Sequence, residues 1–182
     1  MTTDPSATSG RAARLVDQLA LSVPDFPKPG IMFRDLSPVF ADGAALRAVT
    51  DEIAAPFAGR VDAVAGVEAR GFVLAAAAAY ALGVGMLIVR KPGKLPRPVI
   101  REDYALEYGT ATLEVHPDEL APASRVLLLD DVLATGGTLT AATKLIERAG
   151  WTVAGISVVL ELQELGGRSA LEGRDIHSLV TI

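Results

Sequence analysis

Asp130 and Asp131 are adjacent carboxylates that follow an apolar run, Val126-Leu127-Leu128-Leu129, and precede the turn Thr135-Gly136-Gly137-Thr138. The apolar run predicts a strand buried on both faces, as in a parallel sheet. The acids then fall at its C-terminal end, where open α/β sheets bind their ligands. Glycine has no Cβ, so backbone N–H groups there can close on an anion. A helical pattern, Leu139 to Ala149, follows at once, and Thr138 is placed to cap it. This grouping suits a phosphate cradle beside two acids that hold sugar hydroxyls or a metal-bound pyrophosphate. The alternative is an Asp-Asp turn closing a strand, with the glycines there for geometry alone, but turn chemistry requires neither two carboxylates on a buried strand nor a helix start. Neither GxxxxGK followed by Ser or Thr nor GxGxxG occurs, which argues against the two commonest nucleotide loops.

Other segments carry chemistry of the same kind. Glu68-Ala69-Arg70-Gly71-Phe72 follows a second strand pattern and opens a helix. There Arg70 could grip pyrophosphate through its planar fork of donors, or pair with Glu68 to brace the turn. Arg90-Lys91-Pro92-Gly93-Lys94-Leu95-Pro96-Arg97 holds four cations and no acid, in a chain of net charge −5. An anionic ligand explains that reversal for Arg90, Lys91 and Lys94; Arg97 reads better as a solvated loop residue. Glu107, between two alternating tyrosine positions, could hydrogen-bond a nitrogen base or simply face solvent. Phe26 to Asp35 joins aromatics to proline-stiffened backbone, which suits either a flat apolar slot or a surface clamp.

The elements needed to position these residues are legible from pattern. Helices are predicted at Arg11 to Leu21, from Asp42 to about Phe57, and at Arg70 to Leu82, with a short one near Glu164 to Leu171. Strands are predicted at Asp62 to Val67, Val84 to Val89, Arg125 to Asp131, Thr152 to Leu162 and His177 to Ile182. Tyr104 to Tyr108 and Ala111 to Val115 alternate as a small β-ribbon. Val23 to Pro38 holds four of the eleven prolines and reads as irregular and extended. Alternating strands and helices give an α/β fold, a mainly parallel sheet flanked by helices.

Composition sets the outer bounds. The 182 residues suit one domain, half of them hydrophobic and only 5% aromatic. Net negative charge argues against nucleic acid as a partner. Without cysteine there are no disulfides or thiolate metal sites, and His116 and His177 are scattered. Met1 to Arg11 lacks the apolar core of a signal peptide, and Gly71 to Leu82 is too short to span a bilayer. A cytoplasmic protein with no membrane partner is expected.

Taken together, these segments resemble the adenine phosphoribosyltransferase family, a branch of the type I phosphoribosyltransferases. The phosphate loop marks the superfamily; Arg90 to Pro96, Leu106 to Gly109 and the segment Phe26 to Pro38 are more specific. The resemblance runs from about residue 11 to the C-terminus, leaving 1–10 as a frayed N-terminus. It implies a small hood or base-binding segment (11–40), a flexible catalytic loop (90–110) and a phosphoribosyltransferase domain over 11–182. It implies transfer from phosphoribosyl pyrophosphate to adenine, giving AMP and diphosphate, with Mg²⁺, in a homodimer. Catalysis would fall to Glu107, Asp130 and Asp131. The donor would be held by Arg70, Arg90, Lys91, Lys94, Asp130, Asp131, Ala134, Thr135, Gly136, Gly137 and Thr138. Adenine would meet Met32, Phe33, Arg34, Leu133 and Glu107, and magnesium would arrive with the donor, touching Asp130 and Asp131 at most indirectly. The rival expectations are another base (hypoxanthine, guanine or orotate) or a regulator that senses the donor without catalysis. The latter would call for an added DNA-binding module and a basic surface.

Overall fold

A computed structural model of the chain describes residues 6–105 and 110–182, in two units, Met1–Glu52 and Ile53–Ile182. The first unit opens with helix α1 (Ser6–Leu19), which buries Ala12 and Val16. The helix stops before the expected Leu21. That residue instead starts strand β1 (Leu21–Pro24), antiparallel to β2 (Met32–Asp35). The proline-rich segment is therefore a hairpin, not irregular chain. Pro24 stands at the end of its strand and Pro27 and Pro29 lie in the connection, so no ladder hydrogen bond is lost inside it. Helix α2 (Ser37–Ala41) carries Pro38 in its first turn, where a missing N–H costs nothing. Helix α3 (Gly43–Ala54) is capped as expected: Asp42 Oδ1 accepts from the N–H groups of Ala44 and Ala45 at 2.9 and 2.8 Å.

The second unit is built on a sheet. Strand β3 (Ala63–Val67) leads to helix α4 (Arg70–Leu82) and strand β4 (Gly85–Val89). Strands β5 (Ile100–Ala105) and β6 (Thr110–Val115) pair antiparallel as a ribbon, but β5 begins at Ile100 rather than the expected Tyr104, and 106–109 lie outside the described residues. Strand β7 (Arg125–Leu133) precedes helix α5 (Gly137–Arg148) and strands β8 (Thr152–Glu161) and β9 (Ile176–Thr181). The sheet order is β4-β3-β7-β8-β9, parallel throughout. Two 3-10 turns, Gln163–Leu165 and Ser169–Leu171, replace the expected short helix.

Every residue of β3 is buried, as are Val126 to Leu129 of β7. Helices covering a parallel sheet explain why these strands are apolar without alternation. Leu139, Ala142, Leu145 and Ile146 of α5 join Val126, Leu128, Leu113 and Val115 in one core cluster. The connections leave β3 toward β4 on one side and β7 toward β8 on the other. The topological switch point therefore lies between β3 and β7, and their C-terminal ends define the crevice where a ligand is expected.

Candidate active site

Both switch-point strands deliver charge at that edge. Asp130 and Asp131 stand near the end of β7, Arg70 at the start of α4 just after β3. Arg70 Nε lies 2.6 Å from Asp131 Oδ2, an ion pair close in distance but not aligned as a hydrogen bond. Asp131 is 4% exposed, while Asp130 keeps a partly open face. The Asp131 N–H donates to Asp130 Oδ1 at 2.9 Å. Burial, and then the neighbouring Asp131 charge, push the Asp130 carboxyl well above the ordinary carboxylate range. Burial also raises Asp131, against the pull of Arg70. Close packing of α4 makes this possible: a Cβ on Gly71 would meet Leu129 O at 2.9 Å and Asp130 Oδ1 at 3.2 Å.

The glycine turn closes around a cleft of about 60 Å³, lined by Val132 to Leu139. That is several times the space one water needs. Helix α5 begins at Gly137, and its first intrahelical bond runs from Thr140 N–H to Gly136 O. The N–H groups of Gly137, Thr138 and Leu139 thus precede the ladder, with the positive end of the helix dipole behind them. Thr138 was expected as the cap but lies inside the helix. Gly136 is the N-cap, at φ 83°, and provides no side-chain cap bond. A positive φ at glycine turns the chain into the helix two residues earlier than a threonine cap would. Gly167 supports the loop from behind: a Cβ there would meet Ala134 O at 2.1 Å and Leu133 Cδ1 at 2.8 Å. Leu133 is fully buried at this contact. Sequence reading passed over Gly167, although a Gly166-Gly167 pair between strands was a signal for close approach.

The cationic segment is held by two acids. Glu68 accepts from Arg90 Nε at 3.2 Å, Lys91 N–H at 3.0 Å and Lys94 Nζ at 2.5 Å. Lys94 foremost, with the Lys91 N–H and Arg90, draws the Glu68 carboxyl down to about 2. Arg90 also stacks over Phe72, 6.0 Å from the ring centre. Arg97 pairs with Asp118 and Glu119, in keeping with its reading as a loop residue rather than a ligand. Glu114, 1% exposed on β6, accepts from Gly93 N–H and Arg101 Nε, and sequence reading missed it. Its signal was an acid set between Leu113 and Val115 in an otherwise apolar stretch.

Of the residues expected at a base, Met32, Phe33 and Arg34 lie in the first unit, whereas Leu133, expected to touch the base, is fully buried behind the phosphate loop of the second. Met32 is 60% exposed, and Phe33 packs edge-on to Phe26 with ring centres 5.0 Å apart. Arg34 donates to Ser22 Oγ at 2.6 Å. Strand β2 pairs with β1 on one edge only, so alternate main-chain groups of Met32 to Asp35 face away from the ladder. Glu107 lies outside the described residues.

A family model described as the phosphoribosyl transferase domain matches residues 41–175. An adenine phosphoribosyltransferase of Clavibacter sepedonicus is 68% identical over 171 residues, covering 94% of this chain and 89% of the relative. The chain belongs to the adenine phosphoribosyltransferase family. A crystal structure of the Thermoanaerobacter pseudethanolicus enzyme superposes with a TM-score of 0.90 at 44% identity, covering 93% of this chain and 99% of that one. The Saccharomyces cerevisiae enzyme, solved with D-2,5-dideoxy-2,5-imino-altritol 1,6-bisphosphate and adenine, gives 0.88 at 32% identity, covering 94% and 99%. The family places the chain among pentosyltransferases, with the parallel-sheet fold described above.

Proposed function

We propose that this chain transfers the phosphoribosyl group of phosphoribosyl pyrophosphate to adenine, releasing AMP and diphosphate. The observation that carries the reading is the acid pair and Arg70 meeting at the switch point beside a glycine-built helix N-terminus. Asp130 and Asp131 bind the ribose hydroxyls and face the positive charge that grows on the ring as the C1–O bond breaks. Ala134, Thr135, Gly136, Gly137 and Thr138 anchor the 5′-phosphate, whose binding energy orients the reacting carbon. Arg70, Arg90, Lys91 and Lys94 receive the diphosphate. Main-chain groups of Met32 and Arg34 read the adenine edge, Phe33 gives apolar contact to the ring, and Glu107 takes the base's proton.

Among the described residues no three His, Cys, Asp or Glu side chains group as a metal cage. Two carboxylates do fit Mg²⁺ that travels with the donor, since this ion keeps waters and substrate phosphates as ligands. Bound there, it would neutralise the leaving diphosphate. A homodimer in the cytoplasm completes the proposal. Among the described residues no helix is long and apolar enough to cross a membrane.

The test supplies the donor with adenine, hypoxanthine, guanine or orotate and follows diphosphate release. Adenine pairs a donor with a neighbouring acceptor, and hypoxanthine reverses them. Two mismatched buried groups at about 1–3 kcal/mol each should make adenine roughly a thousandfold better in kcat/KM. Glu107→Ala should depress turnover more than donor binding. Equal use of adenine and hypoxanthine would refute the base assignment.

A further inference from the structure

We propose that Glu114 is a positioning residue for the diphosphate end of the donor, clamping the root of the cationic segment so that Lys91 and Lys94 are presented in one place. This rests on the phosphoribosyl-transfer reading above. Glu114 touches that segment three times and Arg101 of β5 once. Oε2 accepts from Gly93 N–H at 2.9 Å, and Oε1 accepts from Arg101 Nε at 2.6 Å. Its backbone exchanges two hydrogen bonds with Arg90, N–H to O at 2.7 and 2.9 Å. One buried side chain thus ties the departure of the chain at Arg90 to Gly93 to its return at Arg101.

The return point is itself fixed. Arg148 of α5 donates to Arg101 O at 2.7 Å and to Glu102 at 2.9 Å, and Lys144 lies 3.3 Å from Glu102. Glu114 therefore fastens the cationic segment to a ribbon already fastened to the helix that follows the phosphate loop. A carboxylate 1% exposed is costly to bury without partners, and here both oxygens are used. A neutral hydrophobe would fill the same place in the ribbon without such a cost, yet it could not hold Gly93 and Arg101 together. Glu114 also differs from Glu68, which meets the cationic ends themselves at Arg90 and Lys94. A bound diphosphate would compete with Glu68 for those cations. It would leave Glu114, which grips the backbone of Gly93, undisturbed.

Glu114→Gln keeps shape but offers an amide where two donors need acceptors, so one of the two side-chain contacts must fail. The loss of a hydrogen bond to a charged group predicts a rise in KM for the donor of about tenfold. Adenine KM and kcat should stay within about twofold, since transition-state contacts are not removed. In ligand-free protein, trypsin should cut the Lys94–Leu95 bond at least about fivefold faster, because cleavage follows the population of the opened segment. Arg101→Gln removes the same contact from an exposed side chain and should shift both readouts in the same direction, so the test survives poor folding of the buried variant. A kcat loss with both KM values unchanged would mean general structural damage and overturn the proposal. So would unchanged proteolysis, or faster proteolysis with unchanged donor KM. Wild-type protein that makes no AMP would sink the transfer reading instead, while the proteolysis of ligand-free protein would still judge the clamp.

Discussion

The fold makes the Asp130 carboxyl harder to ionise than an ordinary carboxylate. Its pKa is raised by burial and by Asp131 beside it, and Arg70 offsets these least. For an acid raised on folding, the stabilising contribution is present below the ordinary value and is lost as pH rises through the folded value. At neutral pH the fold therefore lacks the stability that this carboxyl lends it in acid. Asp130→Asn should melt a few degrees above wild type at pH 7.5, a gain on the order of 1 kcal/mol, and the gap should close as pH falls toward about 4. The same variant should lose about a hundredfold or more in kcat/KM. Calorimetry and steady-state kinetics on one preparation check both; a variant less stable at pH 7.5 would mean Arg70 already balances the pair. This residue was readable in the sequence because its chemistry is local: two acids, an apolar strand and a glycine turn lie within a dozen positions. Glu114 and Gly167 were not, because what they do depends on Gly93, Arg101 and Ala134, which only the folded chain brings to them.

Among the elements, the phosphate loop depends on a partner from another connection. Gly136 takes positive φ, and a Cβ there would meet Gly167 O at 2.6 Å. Gly167 in turn leaves no room before Ala134 O. Gly167→Ala should push the Ala134 to Gly136 backbone out of place and weaken donor binding by about tenfold or more, some 1.4 kcal/mol. Isothermal calorimetry with phosphoribosyl pyrophosphate measures this, and affinity within twofold of wild type would show that the loop does not depend on the contact. Most elements followed from sequence: α4 spans Arg70–Leu82 as its pattern predicts, and the strands of the parallel sheet differ only at their ends. The hairpin β1–β2 did not, because its short exposed strands lack alternation, and prolines mask a ladder that they border without breaking. Thr138 failed as a cap for a similar reason: a glycine's left-handed turn leaves no sequence mark separating it from its neighbour.

For the molecule as a whole, acidity should act through ion pairs set at the ends of the sheet's strands. Asp62 is drawn to about 2 by Arg125, Glu68 to about 2 by Lys94, and Glu161 is lowered by Arg168. A lowered acid lends stability above its ordinary value and withdraws it as pH falls through the folded value. For Glu68 that window runs from 4.5 down to about 2. Urea midpoints should fall through this window in wild type, and Glu68→Gln should start lower at pH 7 yet fall less across it. Parallel curves for the two proteins would remove Glu68 from the acid response. The link from Arg148 and Lys144 to Glu102 has a wider meaning. Helix α5 is 12 residues, a stiff rod of about 18 Å, with the phosphate turn at its head and the ribbon strapped to its far half. A tug at either end is felt at the other, and thermodynamics makes such conversation mutual. A phosphate seated at the head should then steady the arm that receives the departing diphosphate, and the diphosphate should tighten the grip on the phosphate by the same factor.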